Sequence, residues 1–201
     1  MQKKTGKVAD LEKLPMDLRK FGGNELQIHL LEVLNNVIDK TQMSQERETA
    51  MVKNTHKSGT KSKCENYTAI TLLPTAYKLF ENVINNSLNE HFEDEIAEEQ
   101  CGFRNGRSCK DATLTVQQII EKKRKEHNLP IFPNYEKAYD NVNRHKLWGM
   151  MGNKIPNYLL NTIKCIYRNT KVRINDGINE PIHINKGVRQ GCGLSPVLFN
   201  I

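Results

Sequence analysis

The 201-residue sequence has no apolar run approaching the roughly 20 residues that cross a bilayer, so no membrane partner is expected. Its opening stretch, MQKKTGKVADLEK, is charged with no apolar segment behind it. No secretory signal is read there, and an intracellular setting is expected, with nucleus and cytoplasm both open. Cysteine is sparse and unpatterned. Cys64, Cys101, Cys109, Cys165 and Cys192 are odd in number, scattered, and form no C-x-x-C pair. That argues against a disulfide framework or a zinc site and for five free thiols. Aromatics make up 6% of the chain, which suits a rather polar globule, and there is no internal repeat or low-complexity segment.

What the sequence does have is charge. Charged residues are 26% of the chain and the net charge is +7, a balance compatible with a nucleic-acid partner through phosphate neutralisation. The distribution is uneven. Residues 90–99 (EHFEDEIAEE) are strongly acidic, while 122–125 (KKRK), the Arg104/Arg107 region and the Arg168/Lys171/Arg173 region are basic. The KKRK run reads as a solvated helix end, a phosphate contact or a nuclear-import signal.

Periodicity sketches the elements. Leu30, Leu31, Leu34, Val37 and Ile38 recur on one helix face. Residues 41–64 read as one or two strands joined by a basic loop, and 67–73 (YTAITLL) as a short strand closed by Pro74. A helix follows with Leu79, Phe80, Val83, Ile84 and Leu88 inward; 101–109 (CGFRNGRSC) is a loop, and 111–126 a helix. Residues 129–132 are read as an apolar strand, Pro156 as opening another helix, and 171–185 as a hairpin around Asp176-Gly177. Ser195-Pro196 reads as a cap and first-turn proline of a last helix. Helices alternating irregularly with short antiparallel strands predict an α+β fold.

Four stretches together resemble the reverse transcriptase of non-LTR (LINE-type) retrotransposons: HKSGTKSKCENYTAITLLPTAYKLF (56–80), EEQCGFRNGRSC (98–109), NYEKAYDNVNRHKLW (134–148) and GVRQGCGLSPVLFN (187–200). The resemblance implies the fingers and part of the palm of a right-hand polymerase, helices with a small antiparallel sheet. On that reading residues 1–23 are a partly ordered extension, 24–128 a fingers-like region and 129–201 a partial palm. Family activity is RNA-templated DNA synthesis, on an RNA template or RNA–DNA hybrid, with Mg²⁺ ions held by aspartates.

Set against the family pattern, Tyr135, Glu136, Lys137, Ala138, Tyr139 and Asp140 fit, which puts Asn134 where the metal-binding aspartate is expected. Asn offers a neutral carbonyl oxygen in place of a carboxylate. Asp140 matches a position that is mainly structural. Thr68 stands where the family's Tyr-Arg-x-Ile segment carries the arginine that grips the triphosphate, and a hydroxyl supplies neither charge nor a bidentate fork. No Tyr/Phe-x-Asp-Asp occurs in the 201 residues. The resemblance therefore implies no retained catalytic residue, no metal site, and neither Mg²⁺ nor a small-molecule cofactor. Tyr139 matches the aromatic beneath the incoming sugar or is an ordinary core aromatic; Gln190 and Gly191 match the pair bordering the nascent base pair. Arg104 and Arg107 suit template or primer phosphates, or are simply solvated. Three readings follow: an inactive fragment of the polymerase domain, a remnant that still binds RNA or hybrid, or a translated relic without function.

Overall fold

The computed structural model describes residues 23–43, 49–124, 130–174 and 180–201. The N-terminal extension expected up to residue 23, the Asp176-Gly177 turn, Lys125 and Leu129 thus fall outside it, Gly23 alone excepted. Among the described residues seven α-helices and four strands run α1 (Gly23–Lys40), β1 (Thr49–His56), β2 (Tyr67–Leu72), α2 (Thr75–Phe92), α3 (Cys109–Lys123), α4 (Ala138–Asn141), α5 (Arg144–Met151), α6 (Asn157–Arg168), β3 (Lys171–Ile174), β4 (Ile182–His183) and α7 (Ser195–Asn200). No described helix is long and apolar enough to cross a membrane.

The α+β expectation holds, but the sheet is mixed where an antiparallel one was expected. Its order is β2-β1-β3-β4. β1 pairs antiparallel with β2, Met51 opposite Leu72 and His56 opposite Tyr67, and parallel with β3, Ala50 opposite Val172. β3 and β4 pair antiparallel through Lys171–His183 and Val172–Ile182, as the hairpin reading requires. The parallel pairing joins segments more than a hundred residues apart, which no local sequence signal encodes.

Helix α2 shows why these residues choose their elements. Tyr77, Phe80, Ile84 and Leu88 recur at helical spacing, and all are buried with Phe92 in one core cluster that also holds α6 residues Leu159, Ile163 and Ile166. Val83, expected inward, is 54% exposed because it falls off that stripe. α6 buries one face most completely, through Leu159, Leu160, Thr162, Ile163, Cys165, Ile166 and Tyr167, and closes the core with Leu147, Met151, Leu194 and Leu198. Helix starts follow capping chemistry. Ser108 Oγ accepts from Lys110 N at 3.1 Å at α3, and Asn143 Oδ1 from Lys146 N at 3.1 Å at α5.

Two local expectations fail for physical reasons. Residues 130–135 form no strand, and Ile131 is 89% exposed; Pro130 and Pro133 bracket two residues and remove the ladder donors on both sides. Ser195 does not cap α7. Its hydroxyl donates to Arg189 O at 2.7 Å inside the core. The helix read over 111–126 is present as α3, which buries none of its residues, Leu114, Ile119 and Ile120 all lying exposed.

Arg144 fastens the second half of the chain. Its guanidinium donates to the carbonyls of Gly187, Tyr167, Ile184 and Lys186 at 2.8–3.3 Å and lies 5.0 Å from the Tyr167 ring centroid. One buried cation thus ties the start of α5 to the end of α6 and to the loop that follows β4.

Candidate functional site

Two of the sequence motifs meet as backbone. Gly187 N donates to Val142 O at 2.9 Å and Val188 N to Tyr139 O at 2.8 Å, so the segment after YEKAYD lies alongside GVRQGC. Gly187 is at φ +80°, and a Cβ there would stand 2.7 Å from Asp140 O. Only glycine allows that approach. On the other side, Thr71 N donates to Gln190 O at 2.8 Å, and a Cβ on Gly191 (φ +99°) would meet Thr71 O at 2.8 Å. The Gln190-Gly191 pair is therefore laid against the β2 edge.

An open cleft of about 920 Å³ lies between the β1–β2 end of the sheet and the 134–140 segment. Thr68, Asn134, Tyr139 and Gln190 all line it, so the structure gathers four of the positions singled out in the sequence. Gly191 backs the wall without lining it. Tyr139 stacks on Phe199 of α7, centroids 4.9 Å apart and planes 8° from parallel, and partial burial raises its hydroxyl pKa. Lys137, at φ +48° and ψ +43°, caps α4 in the left-handed region, an uncommon conformation for a residue with a Cβ.

The charge of the cavity is balanced. Lys57, Lys61 and Lys137 face Glu65, Glu136 and Asp140 among its walls. Asn134 contributes one neutral oxygen from an exposed, irregular stretch. Among the described residues no three of His, Cys, Asp and Glu gather to hold a metal ion. Mg²⁺ needs hard anionic oxygens in near-octahedral array, and these donors do not fit it.

Beneath the cavity floor lies a polar network that the sequence reading missed. Arg189, 7% exposed, donates to Tyr77 Oη at 2.6 Å, Ile166 O at 2.9 Å and Thr170 Oγ1 at 3.1 Å. Cys192 Sγ donates to Glu81 Oε1 at 2.6 Å and Gly193 N to Glu81 Oε2 at 3.2 Å. Burial raises the Tyr77 and Tyr167 hydroxyls and pushes the Cys192 thiol up to about 12, so the phenols and the thiol stay neutral. The sequence reading did not single out Arg189, whose partner on α2, Tyr77, lies 112 positions earlier. The network fixes the loop that carries Gln190 and Gly191.

The two arginines of GFRNGRS lie outside the cavity walls and face the acidic 90–99 run. Arg104, its side chain only 4% exposed, donates twice to Glu93 Oε1 and to the carbonyls of Glu93, Ala97 and Gln100. Arg107, more open at 37%, pairs with Glu98. Lys154 pairs with Glu95 on the same acidic segment.

The comparisons with known proteins point the same way. Over 200 residues, 95% of this chain, it is 25% identical to the "Transposon TX1 uncharacterized 149 kDa protein" of Xenopus laevis. Over 143 residues, 68% of this chain, it is 27% identical to the "Probable RNA-directed DNA polymerase from transposon BS" of Drosophila melanogaster. The chain spans 15% and 16% of the lengths of these two relatives. Residues 53–201 match the family described as reverse transcriptase (RNA-dependent DNA polymerase), a stretch that includes the cavity, the polar network and the arginine loop. The chain belongs to the reverse transcriptase family.

Proposed function

We propose that these residues are the fingers-like (24–128) and palm-like (129–201) part of a transposon-encoded, right-hand RNA-directed DNA polymerase that no longer adds nucleotides. The observation that carries this reading is Asn134, a neutral side chain on an exposed stretch where the family pattern requires a carboxylate. The cavity around it mixes three lysines with three carboxylates and gathers no metal-binding cluster among the described residues. Thr68 in the same cavity supplies no fixed cation for a triphosphate. Without those charges the developing negative charge of phosphoryl transfer is left unbalanced.

Holding nucleic acid needs less than catalysis does. A net charge of +7 and an open arginine on the GFRNGRS loop support retained, sequence-tolerant binding of RNA or RNA–DNA hybrid. Tyr139, Gln190 and Gly191 are the residues proposed to border a bound nucleotide or base pair. The test is fluorescence anisotropy of a labelled RNA–DNA hybrid with the 201-residue chain, in Mg²⁺ and in EDTA. Salt-sensitive binding that is equal in both is expected. Binding that requires Mg²⁺, or none at low ionic strength, overturns the reading.

A further inference from the structure

Phe103 is the aromatic of the GFRNGRS loop, and it is 72% exposed. Its φ is +61°, in the left-handed region that a bulky L-residue rarely occupies. Gly102, one residue earlier, could adopt that conformation freely and does not. The turn is therefore made at the residue whose ring it turns out to solvent.

Both neighbours are pinned. Gly102 O accepts from Asn200 Nδ2 at 3.1 Å and from Gln100 Nε2 at 3.2 Å. Arg104 is held by five donations to Glu93, Ala97 and Gln100. Strain of this kind persists where surrounding contacts over-determine it, and it marks residues held for a task. Asn200 is also the neighbour of Phe199, which stacks on Tyr139, so one short helix fixes both the cavity wall and the Phe103 loop. Four residues on, Arg107 is joined to Glu98 by an exposed ion pair, 37% and 76% accessible, the kind that a competing anion can open.

An exposed ring on a pinned loop, beside an arginine in an exchangeable pair, offers a flat apolar face next to a phosphate contact. We propose that Phe103 stacks on a base of single-stranded nucleic acid while Arg107 leaves Glu98 for the adjoining phosphate. This deepens the binding reading above and rests on it. It also divides the two arginines, Arg104 positioning the loop and Arg107 meeting the ligand. Stacking uses the π-face common to every base, so the contact is sequence-tolerant.

The experiment measures anisotropy of a fluorescein-labelled single-stranded RNA of mixed sequence against the 201-residue chain over a series of salt concentrations. Phe103→Ala is expected to weaken binding roughly five-fold or more without changing the salt slope, and Arg107→Ala to reduce the slope by about one. Phe103→Trp should bind as well as the native chain, and its added emission should fall as RNA is bound. Native-like binding by Phe103→Ala, or by Phe103→Leu, which keeps the bulk and loses the ring, overturns the proposal while leaving nucleic-acid binding intact. A change in sedimentation on Phe103→Ala without RNA also overturns it, because the ring would then serve contact with a second copy. No RNA binding by the native chain at low salt overturns both readings.

Discussion

Cys192 Sγ donates to Glu81 Oε1 at 2.6 Å within the core, and neither residue is more than 4% exposed. Burial holds the Glu81 carboxyl above its ordinary 4.5, against the opposing pull of the bonds from Cys192 and Gly193. The unfolded chain ionises this group from about pH 4.5 upward while the folded chain resists. Folding therefore loses stability as pH rises from 4.5 to the raised folded value, and the loss is constant above it. Urea midpoints measured from pH 4.5 upward should fall through this group, and Glu81→Gln should flatten the fall. An unchanged slope in the variant would remove Glu81 from the account.

Gly187 and Gly149 make a matched pair. A Cβ at Gly187 stands 2.7 Å from Asp140 O with φ at +80°, whereas one at Gly149, within α5, meets nothing within 4 Å. Gly187→Ala should cost more than about 1–3 kcal/mol, combining left-handed strain with a backbone clash. Gly149→Ala should stabilise by about 0.5–1 kcal/mol, as alanine does within a helix. Denaturant unfolding of both variants checks the contrast. Equal effects would contradict the close packing of 140 against 187.

Arg144→Ala should destabilise by about 1–3 kcal/mol for each buried carbonyl left unpaired, since two buried and two partly buried acceptors lose their shared donor. Arg144→Lys should recover only part of that, since an ammonium cannot span partners on both α6 and the 184–187 loop. Thermal unfolding of the two variants decides it; full recovery with lysine would show that the charge alone matters.

Arg104 and Arg107 should separate in the same assay. Arg104→Ala removes five donations from a side chain 4% exposed and should lower the melting temperature. Arg107→Ala breaks one exposed pair and should leave it nearly unchanged. Equal shifts would contradict the division of roles between them.

What the sequence made legible is what periodicity and punctuation encode. The α2 stripe of Phe80, Ile84 and Leu88, the strand before Pro74, and the pairing of 171–174 with 182–183 all follow from local spacing. The parallel pairing of Ala50 with Val172 does not, since it depends on how distant segments pack. Nor does the inward turn of Arg104 and Arg189. An arginine in a glycine-bearing loop reads as solvated, and only the half-exposed Glu93 carboxylate for Arg104 and the buried Tyr77 and Thr170 hydroxyls for Arg189 draw each one in. Asn134 stood out because its motif neighbours fit a pattern. Phe103 did not, because backbone strain is invisible in composition.

The central claim is that this chain holds nucleic acid without extending it. Its most direct test is primer extension on an RNA template, in Mg²⁺ and in Mn²⁺, by the native 201-residue chain and by Asn134→Asp. Catalytic groups that act as a unit are not restored singly. The account predicts no added nucleotide from either protein, with template binding retained by both. Extension by the native chain, above the background of a mock purification, would contradict it.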